Sequence, residues 1–291
     1  MYNICQPQAA NGMESKKRPN EMASHLVTIV IPTRNAGRTL GNCLKSIRNQ
    51  TYQNLEIILV DAGSTDETQR IAEEYGARIV TLEGIGMTAA RNVGTKRASG
   101  DYVFHMDADM KLQPLVVEEC VDKCKRGVRA VIVPQLFEGT GFLGRAKALE
   151  IQSYPHGNPG TCTRFVEKAL LEGLGGYDEA LEAGEDWDLA QKMGARYPIG
   201  AIEAYITHGW GRYDLIKRMK QCYRYGKSVG TYVKKYPRHA AGQWTPLRVS
   251  NMKLDLLVSH PVEAFGIAVL KFCEFEAALL GILSDRFLKD K

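Results

Sequence analysis

The chain has 291 residues, 44% of them hydrophobic, which is enough for one sizeable core and a smaller appended part. Its net charge of +5 is too small to indicate a nucleic-acid partner without a concentrated basic patch. The seven cysteines are odd in number and scattered, which argues against a disulfide framework and favours a reducing, cytoplasmic setting.

Residues 1–24 are polar and lack the apolar run of a secretory signal, so we expect a disordered tail there. After the tail, apolar runs typical of buried strands alternate with helical patterns. The strands are predicted at 26–32, 55–60, 77–82 and 101–106, and the helices at 39–49, from Ser64 or Thr65 to about Tyr75, and at 87–98. This order predicts a doubly wound α/β sheet that binds ligands at the carboxyl ends of its strands.

Polar residues follow three of these strands at the expected ligand edge. They are Thr33, Arg34 and Asn35 after the first strand, Asp61 after the second, and Asp107-Ala108-Asp109 after the fourth. Two carboxylates on one face of a strand repel each other, which favours a bound cation such as Mg²⁺. A solvated acidic turn is the alternative. Asp61 could bind a base or a ribose, or only complete an Asp-x-Gly-Ser turn.

Arg91 lies in the third predicted helix, which approaches the same edge. Its guanidinium could reach a diphosphate there, or it could be an ordinary solvated arginine. The sequence has no Gly-x-x-x-x-Gly-Lys-Ser loop, and Gly84-Ile85-Gly86 lacks the rest of a dinucleotide fingerprint. A P-loop NTPase and a dehydrogenase are therefore disfavoured.

Four linked stretches resemble family 2 glycosyltransferases of the GT-A fold, and the resemblance covers roughly residues 26–210. The stretches are Val30 to Asn35, Val60 to Thr68, Ala90-Arg91-Asn92-Val93-Gly94 and Asp107-Ala108-Asp109. The resemblance implies a UDP- or GDP-linked sugar donor and a Mn²⁺ or Mg²⁺ ion. It assigns Asp61 to the base, Arg91 to the diphosphate, Asp107 to the nucleotide and Asp109 to the metal, with Thr33, Arg34, Asn35 and Ala108 completing the donor site. Ala62 departs from the family, which often has a second acidic residue there.

The run Glu185-Asp186-Trp187-Asp188 continues the resemblance, which implies a helix beneath the acceptor with Asp186 as general base and Glu185 and Trp187 beside it. A carboxylate at a helix N-terminus can accept a proton, although it could also only complement the helix dipole. Trp187 could stack on a sugar or belong to the core. His208 is a further candidate metal ligand, with a hydrogen-bonded structural histidine as the alternative.

Residues 213–235 predict a helix with basic and apolar sides. Its basic residues are Lys217, Lys220, Arg224, Lys227, Lys234 and Lys235. This side could be solvated, clamp the donor diphosphate or face anionic lipid head groups. Gln221 and Arg224 resemble the Gln-x-x-Arg-Trp motif of processive relatives, with Tyr225 in place of tryptophan, and are assigned to the donor site.

A last helix is predicted at 262–283, with Glu263, Lys271 and Glu274 clustered on one side and only Glu276 on the apolar side. It could pack on the catalytic domain, pair with a second subunit in a homo-oligomer, or lie in a membrane interface. Together with the basic helix, it favours the membrane.

The sequence thus predicts a tail at 1–24, a GT-A α/β domain with a mixed sheet at 25–210, and a helical, membrane-associating extension at 211–291. The predicted function is inverting, metal-dependent sugar transfer from a nucleoside diphosphate to a glycan, a lipid-linked saccharide or a polyprenyl phosphate, peripheral on the cytoplasmic membrane face. The alternatives are a non-catalytic sugar-nucleotide or glycan-binding module and a sugar-phosphate nucleotidyltransferase.

Overall fold

The computed structural model describes residues 25–153, 163–181, 183–237 and 252–289. The predicted tail at 1–24 lies outside the described residues. Within them a seven-stranded sheet forms the centre, in the order β3-β2-β1-β4-β8-β6-β9. Its strands are β1 (Val27–Thr33), β2 (Leu55–Asp61), β3 (Arg78–Thr81), β4 (Tyr102–His105), β6 (Ala130–Ile132), β8 (Thr163–Glu167) and β9 (Ile199–Ala201). The first four strands confirm the predicted parallel series.

The sheet is mixed because β8 runs antiparallel to both β4 and β6, between which it lies. A second sheet of three strands has the order β5-β10-β7. Its members are β5 (Met110–Leu112), β7 (Gln135–Thr140) and β10 (Ile206–Arg212). Since β5 directly follows the Asp107-Ala108-Asp109 stretch, this small sheet extends the ligand edge of the large one.

Helices pack on the central sheet through apolar residues at helical spacing. In α1 these residues are Leu40, Cys43, Leu44 and Ile47, all fully buried. The helices before the C-terminal region are α1 (Gly37–Arg48), α2 (Thr68–Glu74), α3 (Met87–Arg97), α4 (Val116–Lys125), α5 (Gly141–Gln152), α6 (Lys168–Gly173) and α7 (Glu185–Met193). Of these, α5 packs on β7 and β10 of the small sheet. The three helices predicted between the first four strands are therefore confirmed, although α1 begins two residues earlier than expected and α2 begins at Thr68, so neither Ser64 nor Thr65 caps it.

The C-terminal region contains α8 (Leu215–Lys235), α9 (Leu254–Ser259) and α10 (Pro261–Lys289). Asp214 caps α8 by accepting a hydrogen bond from the Lys217 amide. Helix α10 packs against both α8 and α5, so the helical extension also contacts the region predicted as the catalytic domain. Among the described residues, no helix is both long enough and apolar enough to cross a membrane.

Candidate active site

The loops that follow β1 and β2 are joined by hydrogen bonds into one edge. The Asn35 amide donates to the Ser64 hydroxyl at 2.8 Å, and the Thr65 amide donates to Asn35 Oδ1 at 2.8 Å. Asn35 has a φ of 52°, a conformation that asparagine tolerates better than most residues. Thr33 is buried with its hydroxyl towards the Val60 carbonyl, and Arg34 is exposed.

Asp61 is fully buried at this edge, and its carboxylate accepts hydrogen bonds from neighbouring residues of the chain. It accepts hydrogen bonds from the Ser64 amide at 3.1 and 3.2 Å, from the Ser64 hydroxyl, and from Gln69 Nε2 at 2.6 Å. The turn that the sequence offered as an alternative is therefore formed. Contact between Asp61 and a nucleotide base stays a prediction.

Arg91 joins the end of β4 to the start of α7. Its side chain is 3% exposed, with Nη2 3.0 Å from Asp107 Oδ1 and Nη1 3.0 Å from Glu185 Oε1. Asp186 Oδ1 lies 3.7 Å from the same Nη1. The structure thus brings together residues that the resemblance assigned separately to the donor side and the acceptor side.

A second guanidinium that the sequence reasoning missed, that of Arg164, reaches the same carboxylate. Arg164 lies on β8, is buried, and has Nη2 3.3 Å from Asp107 Oδ2. An arginine within the apolar run Thr163 to Val166 was the available signal, but the strand itself had not been predicted. We call this group the edge cluster; its members are Arg91, Asp107, Asp109, Arg164, Glu185, Asp186 and His208.

His105 and Tyr177 pack beneath the edge cluster and were also missed. The His105 ring lies 3.0 Å from the Thr95 hydroxyl and 3.2 Å from the Tyr177 hydroxyl. Burial and the neighbouring guanidiniums of Arg91 and Arg164 lower the pKa of His105 to about 3, so this histidine stays neutral. The Tyr177 ring centre is 5.6 Å from the Arg91 guanidinium, which it supports from one face.

The carboxylates of the edge cluster differ in their electrostatics. Burial alone would raise the pKa of Asp107, but the guanidiniums of Arg164 and Arg91 hold it well below its usual range. Burial and the adjacent negative charge of Asp186 raise the pKa of Glu185 to about 7, despite the opposing effect of Arg91. The cluster therefore holds one firmly ionised carboxylate and another that titrates near neutral pH.

Asp109 and His208 form the candidate metal pair. His208 Nδ1 lies 3.6 Å from Asp109 Oδ2, and its ring stacks on Phe137 at 4.9 Å. Burial lowers the pKa of His208, which favours the neutral imidazole that metals require. Within the described part of the chain, no three His, Cys, Asp or Glu side chains are arranged to hold a metal by themselves. The pair therefore fits a cation only if substrate oxygens supply further ligands.

Other predicted residues have different surroundings. Trp187 is half-buried and packs edge-on against Tyr232 at 5.7 Å, as the core alternative expected. Gln221 donates to the Tyr225 hydroxyl at 2.6 Å, whereas Arg224 is exposed on the basic side of α8. Ala108 packs against the main core between the two aspartates.

Asp188 is fully buried and serves a packing role that the sequence did not reveal. Lys192 Nζ lies 2.9 Å from Asp188 Oδ2, and Lys235 Nζ lies 2.6 Å from Asp188 Oδ1. Lys235 therefore leaves the predicted basic side of α8 and ties that helix to α7. Gly184 precedes α7 with a φ of 86°, a left-handed conformation that glycine adopts without strain.

The sequence model of Glycosyl transferase family 2 matches residues 28–167. This part of the chain belongs to glycosyl transferase family 2. The match includes Asp61, Arg91, Asp107, Asp109 and Arg164, so most of the edge cluster lies within the family 2 region. Glu185, Asp186 and His208 lie beyond the matched residues.

Curated relatives agree with this family. An uncharacterized glycosyltransferase of Rickettsia prowazekii is 30% identical over 190 residues, which cover 57% of this chain and 58% of that protein. Chondroitin synthase of Escherichia coli is 34% identical over 113 residues, which cover 37% of this chain and 16% of that protein. The chain therefore spans less than two thirds of the length of these relatives.

Solved structures share the fold. The mannosyltransferase PcManGT from Pyrobaculum calidifontis, in complex with GDP-Man and Mn²⁺, superposes with a TM-score of 0.59 at 17% identity and covers 90% of this chain and 88% of that one. S. aureus TarS 1-349 in complex with UDP superposes with a TM-score of 0.54 at 17% identity and covers 75% of this chain and 68% of that one. At such low identity the likeness shows the fold alone, and it confirms the GT-A fold predicted from the sequence.

Proposed function

We propose that this family 2 chain transfers a sugar from a nucleoside diphosphate to an acceptor hydroxyl, with inversion at the anomeric carbon. The observation that carries the proposal is the position of Arg91 between Asp107 at the end of β4 and the Glu185-Asp186 pair at the start of α7. In an open α/β sheet, ligands bind at this edge. UDP and GDP-Man in the two related structures support a UDP- or GDP-linked donor.

Asp186 is our candidate for the general base. Its side chain is 24% exposed, so an acceptor hydroxyl can approach it, and it lies in the first turn of α7 where the helix dipole favours negative charge. Arg91 lies beside Asp186 and orients it towards the donor side. When the acceptor hydroxyl loses its proton to Asp186, its oxygen attacks the anomeric carbon opposite the leaving diphosphate, and this single displacement inverts the configuration.

Asp109 and His208 would hold a Mn²⁺ or Mg²⁺ ion together with oxygens of the donor diphosphate. When bound, the cation neutralises the charge that develops on the leaving diphosphate. The composition of the edge cluster supports such a cation, because four buried or half-buried carboxylates face only two guanidiniums among its members. The Mn²⁺ in the Pyrobaculum mannosyltransferase complex also supports a divalent cation at this site.

We further propose a lipid-linked saccharide or a polyprenyl phosphate as acceptor, with the protein peripheral on the cytoplasmic face of a membrane. The exposed apolar residues of α9 and α10 and the basic side of α8 support this location. A non-catalytic sugar-nucleotide or glycan-binding module would have no use for Asp186. A nucleotidyltransferase would consume a nucleoside triphosphate and a sugar phosphate, and incubation with these substrates would reveal it.

Thermal-shift measurements with UDP-, GDP- and dTDP-sugars, each with and without Mn²⁺, test the proposal. A ligand that binds only the folded protein raises the Tm with the logarithm of its concentration over Kd. We expect one donor class to raise the Tm in a Mn²⁺-dependent way and Asp109→Ala to remove that dependence. If the Mn²⁺-dependent shift persists in Asp109→Ala, the metal role of Asp109 is wrong. If no sugar nucleotide shifts the Tm, the donor assignment is wrong.

A further inference from the structure

Helix α10 packs on the rest of the protein through its charged side. Glu274 is buried, with Lys147 Nζ 3.1 Å and Arg218 Nε 2.8 Å from its Oε1. Lys271 contacts both Glu150 and Glu274, and Lys147 lies 2.7 Å from Glu150. We call these five residues the helix cluster. Because they link α10 to α5 and α8, the polar side of α10 is fixed inward.

The opposite side of α10 is therefore turned outward, and it is apolar. Phe265 and Phe272 are each 67% exposed and Phe275 is 52% exposed. The large exposed apolar residues of α9 and α10 whose side chains the structure describes form what we call the apolar ridge; they are Leu254, Val258, Val262, Phe265, Phe272, Phe275, Leu279, Leu280 and Leu283. Between Val262 and Leu283, Glu276 is the one charged residue whose helical position falls among them. Exposed apolar residues that recur along one side of a helix are typical of an interaction site in a soluble protein.

The apolar ridge is rigid because α8 and α10 cross closely. A Cβ atom built on Gly226 would collide with the Ala278 carbonyl, and one built on Gly281 would collide with the Tyr223 carbonyl. Only glycine at these positions lets the two backbones approach so far. The outward phenylalanines are therefore carried by a packed helix pair and not by a loose terminal segment.

The half-buried Lys227 brings the basic side of α8 next to α10. Lys227 Nζ lies 5.0 Å from the ring centre of Tyr223, whose hydroxyl bonds Ser284 of α10 at 2.9 Å. The exposed residues Lys217, Lys220, Arg224 and Lys234 continue the same side of α8. An apolar surface and a basic one thus meet along the crossing of α8 and α10.

We propose that the apolar ridge and the basic side of α8 together form a docking surface for an anionic lipid bilayer. Charge complementarity selects this occupant, because each lysine or arginine near an anionic leaflet adds attraction while the phenylalanines bury apolar area. A second copy of the chain would bring its own cations to the same border and be repelled. The inference rests on the proposed function only for the identity of the acceptor, since docking itself requires no donor.

Flotation of the full chain with vesicles tests the docking surface without any sugar nucleotide. We expect binding to vesicles of phosphatidylcholine mixed with phosphatidylglycerol, weaker binding at high salt, and little binding to phosphatidylcholine alone. The combined variant Phe265→Ser, Phe272→Ser, Phe275→Ser should bind at least about tenfold more weakly. Leu115→Ser, which removes an exposed leucine of the loop before α4, should bind like the wild type.

A matched pair of charge variants tests the electrostatic contribution to vesicle binding. Lys217→Gln with Lys220→Gln should weaken binding about tenfold or more, since each cation near the leaflet contributes. Lys45→Gln with Lys125→Gln removes the same charge from exposed positions on α1 and α4 and should leave binding unchanged. An unchanged Tm shows that each variant is folded.

Three results would overturn this inference. One is failure of the wild type to float at low salt; another is equal binding of neutral and anionic vesicles. The third is dimerisation in sedimentation velocity that the phenylalanine variant abolishes while vesicle binding persists, since the ridge would then be a subunit interface. Donor binding measured by thermal shift is independent of all three, so failure of docking is distinguishable from failure of the proposed transferase activity.

Discussion

The edge cluster and the helix cluster both hold charged side chains out of solvent, and they differ in how completely these charges are matched. Among the described residues, the edge cluster sets two guanidiniums, of Arg91 and Arg164, against four carboxylates. The helix cluster sets three cations against two carboxylates, and each carboxylate contacts at least two cations. A buried charge is tolerated only where a partner compensates it, so the excess of carboxylates in the edge cluster calls for a ligand.

The direction of the pKa shifts follows this difference. Although burial opposes it, the cations Lys147, Arg218 and Lys271 hold the pKa of Glu274 well below its usual range. Burial and a neighbouring carboxylate instead raise the pKa of Glu185 to about 7. The helix cluster therefore stabilises the fold, whereas the edge cluster keeps a strained, partly uncompensated arrangement of the kind found at functional sites.

The largest expected effect on stability comes from removing the central carboxylate of the helix cluster. Glu274→Ala leaves Lys147, Arg218 and Lys271 short of a partner and should lower the free energy of unfolding by about 3–5 kcal/mol. Urea unfolding followed by circular dichroism measures this loss of stability. The matched control is Glu276→Gln on the outward side of the same helix, which should change stability by less than about 0.5 kcal/mol. A loss below about 1 kcal/mol in Glu274→Ala would contradict the structural role of the cluster.

The same kind of change in the edge cluster should affect activity and not stability. Asp186→Asn removes one of the excess carboxylates while keeping the side-chain shape. We expect sugar transfer to fall about 10²-fold or more, with donor affinity retained, because a positioned base is lost. The free energy of unfolding should stay constant or rise. Transfer rates measure the loss of activity, and calorimetric titration with the donor measures its affinity. Loss of donor binding together with turnover would make Asp186 a structural residue.

The sequence predicted the parts of the fold that depend on local pattern. Strands β1, β2 and β4 are apolar runs followed by polar residues, so both the strands and the position of Asp61 and Asp107 could be read directly. Arg164 could not, because β8 enters the sheet antiparallel through long-range pairing with β4 and β6. For the C-terminal helix, the sequence could not predict which side faces the protein. Its pattern revealed two sides, but which one faces inward depends on Lys147 and Glu150, more than 100 residues away along the chain.

A smaller effect tests the close crossing that holds the helix cluster together. Gly226→Ala would bring a methyl group against the Ala278 carbonyl and should cost about 1–3 kcal/mol of stability, because backbone cannot yield as a flexible side chain can. Gly230→Ala is the matched control on the same helix, where a Cβ meets no described atom within 4 Å. It should be neutral or stabilise by about 0.5–1 kcal/mol through helix propensity. Equal effects at the two positions would rule out a tight crossing.

The most gradual effect is the pH dependence of stability, which should have opposite signs in the two clusters. Because the pKa of Glu185 is raised from 4.5 to about 7, the folded chain binds a proton that the unfolded chain releases between these values. The contribution of Glu185 to stability should therefore fall as the pH rises through this window, by up to about 1.4 kcal/mol per pH unit. Glu274 has a lowered pKa, so its contribution is complete above 4.5 and is lost only at more acidic pH.

Urea unfolding of the wild type and Glu185→Gln between about pH 5 and 8 isolates the Glu185 contribution, since Glu274 stays ionised and the lowered pKa values of His105 and His208 act equally in both proteins. The free energy of unfolding of the wild type relative to Glu185→Gln should decline across this window, and at neutral pH the variant should equal or exceed the wild type in stability. A difference between the two proteins that stays constant, or changes in favour of the wild type, between pH 5 and 7 would contradict the raised pKa of Glu185. Glu185 would then be ionised at neutral pH in the folded protein, as Asp107 is, and the electrostatic difference between the two clusters would be lost.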